Sequence, residues 1–181
     1  EGHRRLPPWL RRPLGSGDIY NRTASAVSEN RLNTVCEEAR CPNRGECWSA
    51  GTATFMILGA LCTRRCGFCS VPGGMPRGEL DRDEPRRLAD AVAKMGLGYV
   101  VITSVDRDDL PDKGAQHFVD CIRALRERSP DIELELLTPD FRGKPAEALE
   151  KLLPEAPFIW GHNVETVPRL YRPVRPGSIY D

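Results

Sequence analysis

TFMILGALCTRRCGFCSV, residues 54–71, is the stretch from which the rest of the chain can be read. It begins as a short apolar run over residues 54–59 and becomes a loop carrying Cys62, Cys66 and Cys69 at C-x3-C-x2-C spacing. A brief apolar run ending at a glycine reads as a buried strand. Three thiols crowded into the loop that follows read as a ligand set, because soft thiolates gathered on a short loop select zinc, Cu(I) or iron–sulfur clusters.

The strand-then-loop pattern recurs downstream. Apolar strands are predicted at residues 99–103, 132–137 and 158–162, alternating with helices at 85–95, 115–128 and 145–153. The first helix puts Leu88, Ala89, Val92 and Met95 on one face, with Pro85 in its first turn and Gly96 as its stop. The second carries Phe118, Ile122 and Leu125, and Cys121 beside that stripe reads as a small buried hydrophobe. The third is expected to turn Ala148, Leu149 and Leu152 inward. Strand–helix alternation implies a parallel sheet with crossover helices, so the class is α/β. A closed eight-unit barrel takes about 250 residues, so the expectation is a partial (β/α) TIM-type barrel of about four units over residues 51–181. Its last strand, at 158–162, would be an edge. Upstream, residues 1–50 carry prolines at 7, 8, 13 and 42 and read as an irregular N-terminal extension with one short helix at most, near residues 24–32.

Composition excludes several classes of function. Twenty-six basic side chains are balanced by 26 acidic ones, which removes the electrostatic footprint of a nucleic-acid binder. No window approaches the roughly 18 consecutive apolar residues of a membrane span. The start, EGHRRLPPWLRRPL, has no apolar segment after its basic residues, so no secretory signal is expected. A soluble protein of a reducing compartment follows, cytoplasmic, or of the mitochondrial matrix or plastid in a eukaryote. There, seven cysteines speak for metal or chemistry rather than disulfides.

A second triplet lies upstream. Cys36, Cys41 and Cys47, in TVCEEARCPNRGECW (residues 34–48), have C-x4-C-x5-C spacing. A structural zinc site is closed by four ligands, and His3, His117 and His162 all lie away from either triplet, so zinc would need distant ligands. Three cysteines suit an iron–sulfur cubane with one iron left open for a substrate or cofactor.

The C-x3-C-x2-C loop, with Phe68 before its last cysteine and an apolar run before its first, resembles the signature of radical S-adenosylmethionine (SAM) enzymes. Three further segments narrow the resemblance to the lipoyl synthase family: the first triplet in EEARCPNRGECW, TSVDRDDLPD at residues 103–112 and HNVETVPRLYRPVRP at residues 162–176. The match runs from about residue 9 to 177. It implies two [4Fe-4S] clusters: one on Cys62, Cys66 and Cys69 that reductively cleaves SAM, and an auxiliary cluster on Cys36, Cys41 and Cys47 that is consumed as sulfur donor. It further implies sulfurtransferase activity, inserting two sulfurs at C6 and C8 of a protein-bound octanoyl group, and a six-unit partial barrel of the radical SAM kind. The family's C-terminal Arg-Ser-Ser-Tyr motif, whose serine completes the auxiliary cluster, is absent before Asp181, so the sequence is expected to lack a C-terminal part. Lys113 and Gly161 also depart from the family pattern.

In parallel α/β folds ligands bind at the carboxyl ends of the strands. With that placement, the resemblance implies Phe68, Thr103, Ser104, Asn163 and Glu165 as the expected SAM contacts, though Thr103 and Ser104 equally suit turns and caps, and the acidic residues 106–112 a helix cap. Arg64 and Arg65 sit between cysteines, where they would either tune a cluster or be solvated. Arg169, Arg172 and Arg175 read as a solvated face or a dock for an acidic carrier. By resemblance the partners are octanoylated lipoyl carrier domains (2-oxoacid dehydrogenase E2 subunits and the glycine cleavage H protein), a ferredoxin- or flavodoxin-type electron donor and iron–sulfur carrier proteins. The alternatives are another radical SAM sulfur-inserting enzyme and a two-cluster electron-transfer protein without enzymatic activity.

Overall fold

A computed structural model describes residues 7, 11, 14–157 and 159–180. His3, Phe158 at the start of the fourth predicted strand, and most of the Pro- and Arg-rich start lie outside the described residues. The elements run α1 (Asp18–Glu29), β1 (Asn33–Thr34), α2 (Val35–Glu38), α3 (Arg44–Ser49), β2 (Thr54–Ile57), α4 (Glu84–Met95), β3 (Tyr99–Ser104), α5 (Ala115–Arg128), β4 (Glu133–Thr138), α6 (Pro145–Leu152), β5 (Ile159–His162) and α7 (Tyr171–Val174). Short 3-10 turns follow α6 and precede α7.

The five strands form one sheet in chain order, β1 antiparallel to β2 and the other pairings parallel. The sheet does not close on itself among the described residues, as expected for a partial α/β barrel. Phe55, Met56 and Ile57 are all buried, since β2 is covered on both faces. Along β3 and β4 burial alternates: Val100, Ile102, Leu134 and Leu136 enter the core, while Thr103 and Leu137 point the other way and are only half-buried. Parallel register aligns Met56, Thr103, Leu137 and Gly161 in one row across that second face.

The helix boundaries follow from local chemistry. Pro85 sits in the first turn of α4, and Gly96 ends the helix in the left-handed conformation at φ 68°. Asp112 accepts from the backbone N–H groups of Gly114 and Gln116, so one member of the acidic run does cap α5. Cys121 is fully buried in α5, as expected of a core residue. Leu149 does not turn inward as predicted. It is exposed, because α6 packs against α5 on one side only and buries just Ala148 and Leu152.

The expectation of one short helix at most before residue 50 is corrected. This segment holds α1, α2, α3 and β1, and α1 lies earlier than the predicted 24–32. α1 packs on α3 and α4, and Ala26, Val27, Leu32, Cys36 and Trp48 join the same hydrophobic core as the sheet. Four- and six-residue helices leave too few turns for a periodic apolar stripe, so the pattern was not visible.

A buried polar node fastens the end of β2 to the helix layer. Leu58 adopts φ 71°, and its N–H donates to Glu84 Oε2 at 2.8 Å. His117 Nε2 lies 2.7 Å from the same oxygen, and both side chains are buried. Gly114 has φ 90°, and a Cβ there would meet Leu58 Cδ1 at 2.5 Å. Removing the shared carboxylate strands two buried partners. Glu84→Ala is expected to cost about 2–4 kcal/mol, read as a lower urea midpoint at unchanged m-value, and Glu84→Gln about half of that. A Glu84→Ala protein as stable as the parent would show that the node carries no stability.

Candidate functional site

The carboxyl ends of the parallel strands open into one pocket. Its floor includes Met56, Thr103 and Leu137 from the aligned row, and its walls include Cys62, Cys66, Phe68 and Cys69, with Ser104, Asp106, Thr138, Pro139, Asn163, Glu165 and Arg175 around them. Gly161 completes the row. A Cβ there would sit 3.3 Å from Leu137 Cδ1, so glycine spares the floor a tight contact. Val35, Glu38 and Ala39, which flank Cys36, close the pocket from the N-terminal side.

The two cysteine triplets are built differently. Cys62 follows β2 and is pinned as a strand-like bridge: its N–H donates to Pro72 O at 3.0 Å and its carbonyl accepts from Gly74 N at 2.8 Å. A turn then returns the chain, with Cys69 N donating to Cys66 O at 3.1 Å. In the first triplet Cys36 is buried in α2, whose Thr34 cap accepts from Glu37 N, and Cys41 N donates to Cys36 O at 3.1 Å. Cys47 lies on α3.

Electrostatics shows that the members of each triplet are neighbours. Burial pushes the Cys47 thiol up, and negative charge on Cys36 and Cys41 pushes it further. Burial likewise raises Cys62 and Cys66; at Cys62 hydrogen bonds from Arg64 and Asp106 oppose the rise, while at Cys66 the charge of Asp106 adds to it and Arg175 pulls it back. Thiols gathered in half-buried surroundings resist ionisation until a cation arrives, which is the behaviour of a metal donor set. All seven cysteines are free thiols. Among the described residues no three His, Cys, Asp or Glu side chains converge on a single-ion site. A cluster of several irons, in contrast, needs its thiolates spread around a larger body.

The expected contact residues assemble here together. Phe68 is exposed at the mouth with half its surface free. Thr103 Oγ1 donates to Leu137 O at 2.9 Å, which ties β3 to β4 and leaves the hydroxyl only acceptor capacity. Ser104 Oγ is buried without any hydrogen-bond partner. Asn163 accepts from Arg175 Nη1 through its backbone carbonyl at 2.7 Å, a contact that does not involve its side-chain amide. Glu165 holds φ 67°, a left-handed conformation uncommon for glutamate. His162 Nδ1 donates to Thr138 O at 2.9 Å.

Arginine is where the sequence reading needs correction. Arg65 is exposed, but Arg64 is buried and ion-paired with Asp106, Asp108 and Asp140. Arg175, grouped by sequence with the surface arginines, is also buried and lies against Tyr171, while Arg169 and Arg172 are exposed. Burial raises the Asp106 carboxyl to about 6, with Arg64 opposing that rise and Asp140 and Asp108 adding to it. Asp140 goes the other way: burial opposes ionisation, but the hydrogen bonds and charge of Arg64, helped by Ser178 and Arg175, together outweigh it and hold the carboxyl below the ordinary range. Arg-Arg between two cysteines gives no sign of which arginine turns inward. The carboxylates that recruit Arg64 lie 42 or more positions away, at 106, 108 and 140.

Comparison with known proteins agrees with this geometry. The chain matches the family model of the radical SAM superfamily over residues 56–181, and that of the N-terminal domain of lipoyl synthase over residues 1–41. A lipoyl synthase of Thioalkalivibrio sulfidiphilus is 59% identical over 98% of this chain and 55% of the relative's length. Those of Stenotrophomonas maltophilia and Pseudomonas putida are 58% and 55% identical, over 97% of this chain and 53% and 52% of theirs. The chain spans about half the length of these curated relatives. Because the superfamily match covers well over half of the chain and takes in the cysteine loop at the strand ends, the chain belongs to the radical SAM superfamily.

Proposed function

We propose that this chain carries the cysteines of both clusters of a lipoyl synthase, which inserts two sulfurs at C6 and C8 of an octanoyl group borne on a lipoyl carrier domain. The observation that carries the reading is the single pocket walled by Cys62, Cys66 and Cys69 on one side and by Val35, Glu38 and Ala39, flanking Cys36, on the other. Sulfur insertion needs that closeness, since a carbon radical must meet a sulfur donor before it meets anything else.

The residues suit the groups such a reaction requires. Cys62, Cys66 and Cys69 would hold the SAM-binding [4Fe-4S] cluster, and Cys36, Cys41 and Cys47 the auxiliary one, since each set gathers three soft, free thiols on a short stretch of chain. When bound, the clusters and SAM supply a reducing electron, a hydrogen-abstracting radical and sulfur. The protein's part is placement. Ser104 offers an unused buried hydroxyl to SAM, Asn163 an amide and Glu165 a carboxylate, and Phe68 an apolar surface at the mouth. Met56 and Leu137 keep the floor apolar and exclude water from the reacting chain. Octanoylated E2 and H-protein carrier domains, a ferredoxin- or flavodoxin-type donor and iron–sulfur carriers are the partners this activity calls for. No helix among the described residues is long and apolar enough to cross a membrane, and thiolate clusters fit a reducing compartment such as the cytoplasm.

Anaerobic reconstitution followed by SAM and dithionite tests the reading. The expected result is 5′-deoxyadenosine together with a mass gain from inserted sulfur on an octanoylated peptide. Formation of no 5′-deoxyadenosine would leave a two-cluster electron carrier as the better reading. Cys69→Ala is expected to abolish SAM cleavage, whereas Cys41→Ala retains cleavage and loses sulfur insertion. Equal loss of both activities in the two variants would break this division of labour. Ser104→Ala is expected to weaken SAM binding about five- to tenfold, the size of one lost hydrogen bond. Its melting temperature should not fall, because the hydroxyl has no partner within the protein. Unchanged SAM affinity would remove Ser104 from the site.

A further inference from the structure

The side chain of Arg64, 3% exposed, is held by more acceptors than any other guanidinium near the pocket. Its Nε and Nη2 donate to the two oxygens of Asp108 at 2.9 and 3.0 Å, and its Nη1 and Nη2 donate to those of Asp140 at 2.8 and 2.6 Å. Nη1 also donates to Ser178 Oγ at 2.7 Å, and Asp106 Oδ1 lies 3.4 Å from Nη2. One planar group thus joins four separate segments: the cysteine loop, the loop after β3, the loop after β4 and the stretch after α7. Two bidentate forks at once fix orientation in a way no ammonium could reproduce.

We infer that Arg64 is a positioning residue, whose paired forks to Asp108 and Asp140 set the cysteine loop at a fixed distance and angle from the β3 and β4 loops that wall the pocket. The inference rests on the proposal that Cys62, Cys66 and Cys69 hold a SAM-binding cluster. Stability alone is a poor reason for such a node. Three carboxylates around one guanidinium leave excess negative charge, and a buried ion pair often does no better than an apolar replacement of the same volume. What the node does supply is register. Backbone contacts around it carry the same linkage: Thr63 N and Oγ1 both donate to Asp106 O, at 2.9 and 3.0 Å, and Asp108 N donates to Thr63 Oγ1 at 3.0 Å. Beyond Cys66, Gly67 N donates to Val174 O at 2.8 Å. Cysteine loop and pocket walls are therefore tied to one another, and the forks of Arg64 are part of that tie.

The test compares Arg64→Lys, which keeps the charge and loses the forks, and Asp140→Asn, which keeps the guanidinium and weakens one fork, with the parent holoprotein. Iron and sulfide content, melting temperature, SAM affinity by equilibrium dialysis, the change that SAM induces in the EPR signal of the reduced cluster, and KM and kcat for SAM cleavage are read on each. Arg64→Lys is expected to load iron as the parent does, yet to bind SAM about tenfold or more weakly, since small displacements of a reacting centre are costly. Its EPR response to SAM weakens, and KM rises more than kcat falls. Asp140→Asn shifts in the same direction by less. Parental SAM affinity and EPR response in an iron-loaded Arg64→Lys protein overturn the inference. If Arg64→Lys fails to load iron, parental SAM affinity in Asp140→Asn overturns it instead. A parent protein that loads clusters yet binds no SAM overturns the functional reading, and this inference with it.

Discussion

Parallel register is the constraint on which the rest depends. Because β2, β3, β4 and β5 run the same way and pair without a slip, Met56, Thr103, Leu137 and Gly161 line up across one face and every following loop emerges at the same end. A one-residue slip would swap Val100, Ile102, Leu134 and Leu136 with the pocket-facing set, exposing apolar side chains and burying polar ones. The core thus enforces the register, and the register delivers the cysteine loop, the acidic loop after β3 and the Asn163 segment to one mouth.

At that mouth the structure concentrates charge. Arg64, Asp106, Asp108 and Asp140 form a dense, half-buried web a few residues from three thiols. A second buried pair, Arg107 with Asp109, fastens the segment before α4, since Arg107 also donates to Leu58 O and Glu79 O and Asp109 accepts from Gly78 N. Both webs spend hydrogen-bonding capacity on loops rather than on the sheet, so their effect is felt in loop geometry. Such rigidity suits a site that must hold several groups in a fixed mutual geometry.

Much of this was legible in the sequence, and the reasons are specific. The four parallel strands and the helices α4, α5 and α6 announce themselves through apolar runs, Pro85 and Gly96, and α5 begins and ends where its periodicity does. The strand-end rule, applied to Thr103, Ser104, Asn163 and Glu165, picked side chains that share one pocket with Cys62, Cys66 and Cys69. The short helices α2 and α3 escaped because they are held by caps and by the core rather than by an amphipathic stripe. Arg175 escaped because it is turned in by the short α7 and its contacts with Tyr171 and the Asn163 carbonyl, whereas Arg64 escaped because its partners are distant in the chain, and only the folded sheet brings a carboxylate at 140 to an arginine at 64. Glu38 was missed for the same reason: its place on the pocket wall depends on β1 pairing with β2, two residues of strand that no periodicity reveals.

The central proposal is that two sets of three thiols, Cys62, Cys66 and Cys69 on the pocket wall and Cys36, Cys41 and Cys47 on the segment whose Val35, Glu38 and Ala39 line it, each hold an iron–sulfur cubane. Mössbauer spectroscopy with iron quantitation on protein reconstituted without oxygen addresses it most directly. The account predicts about eight irons per chain, all in [4Fe-4S] form, with one iron of a single cubane changing its signal when SAM is added. A chain that takes up zinc alone, or iron in only one cluster with no response to SAM, would contradict it.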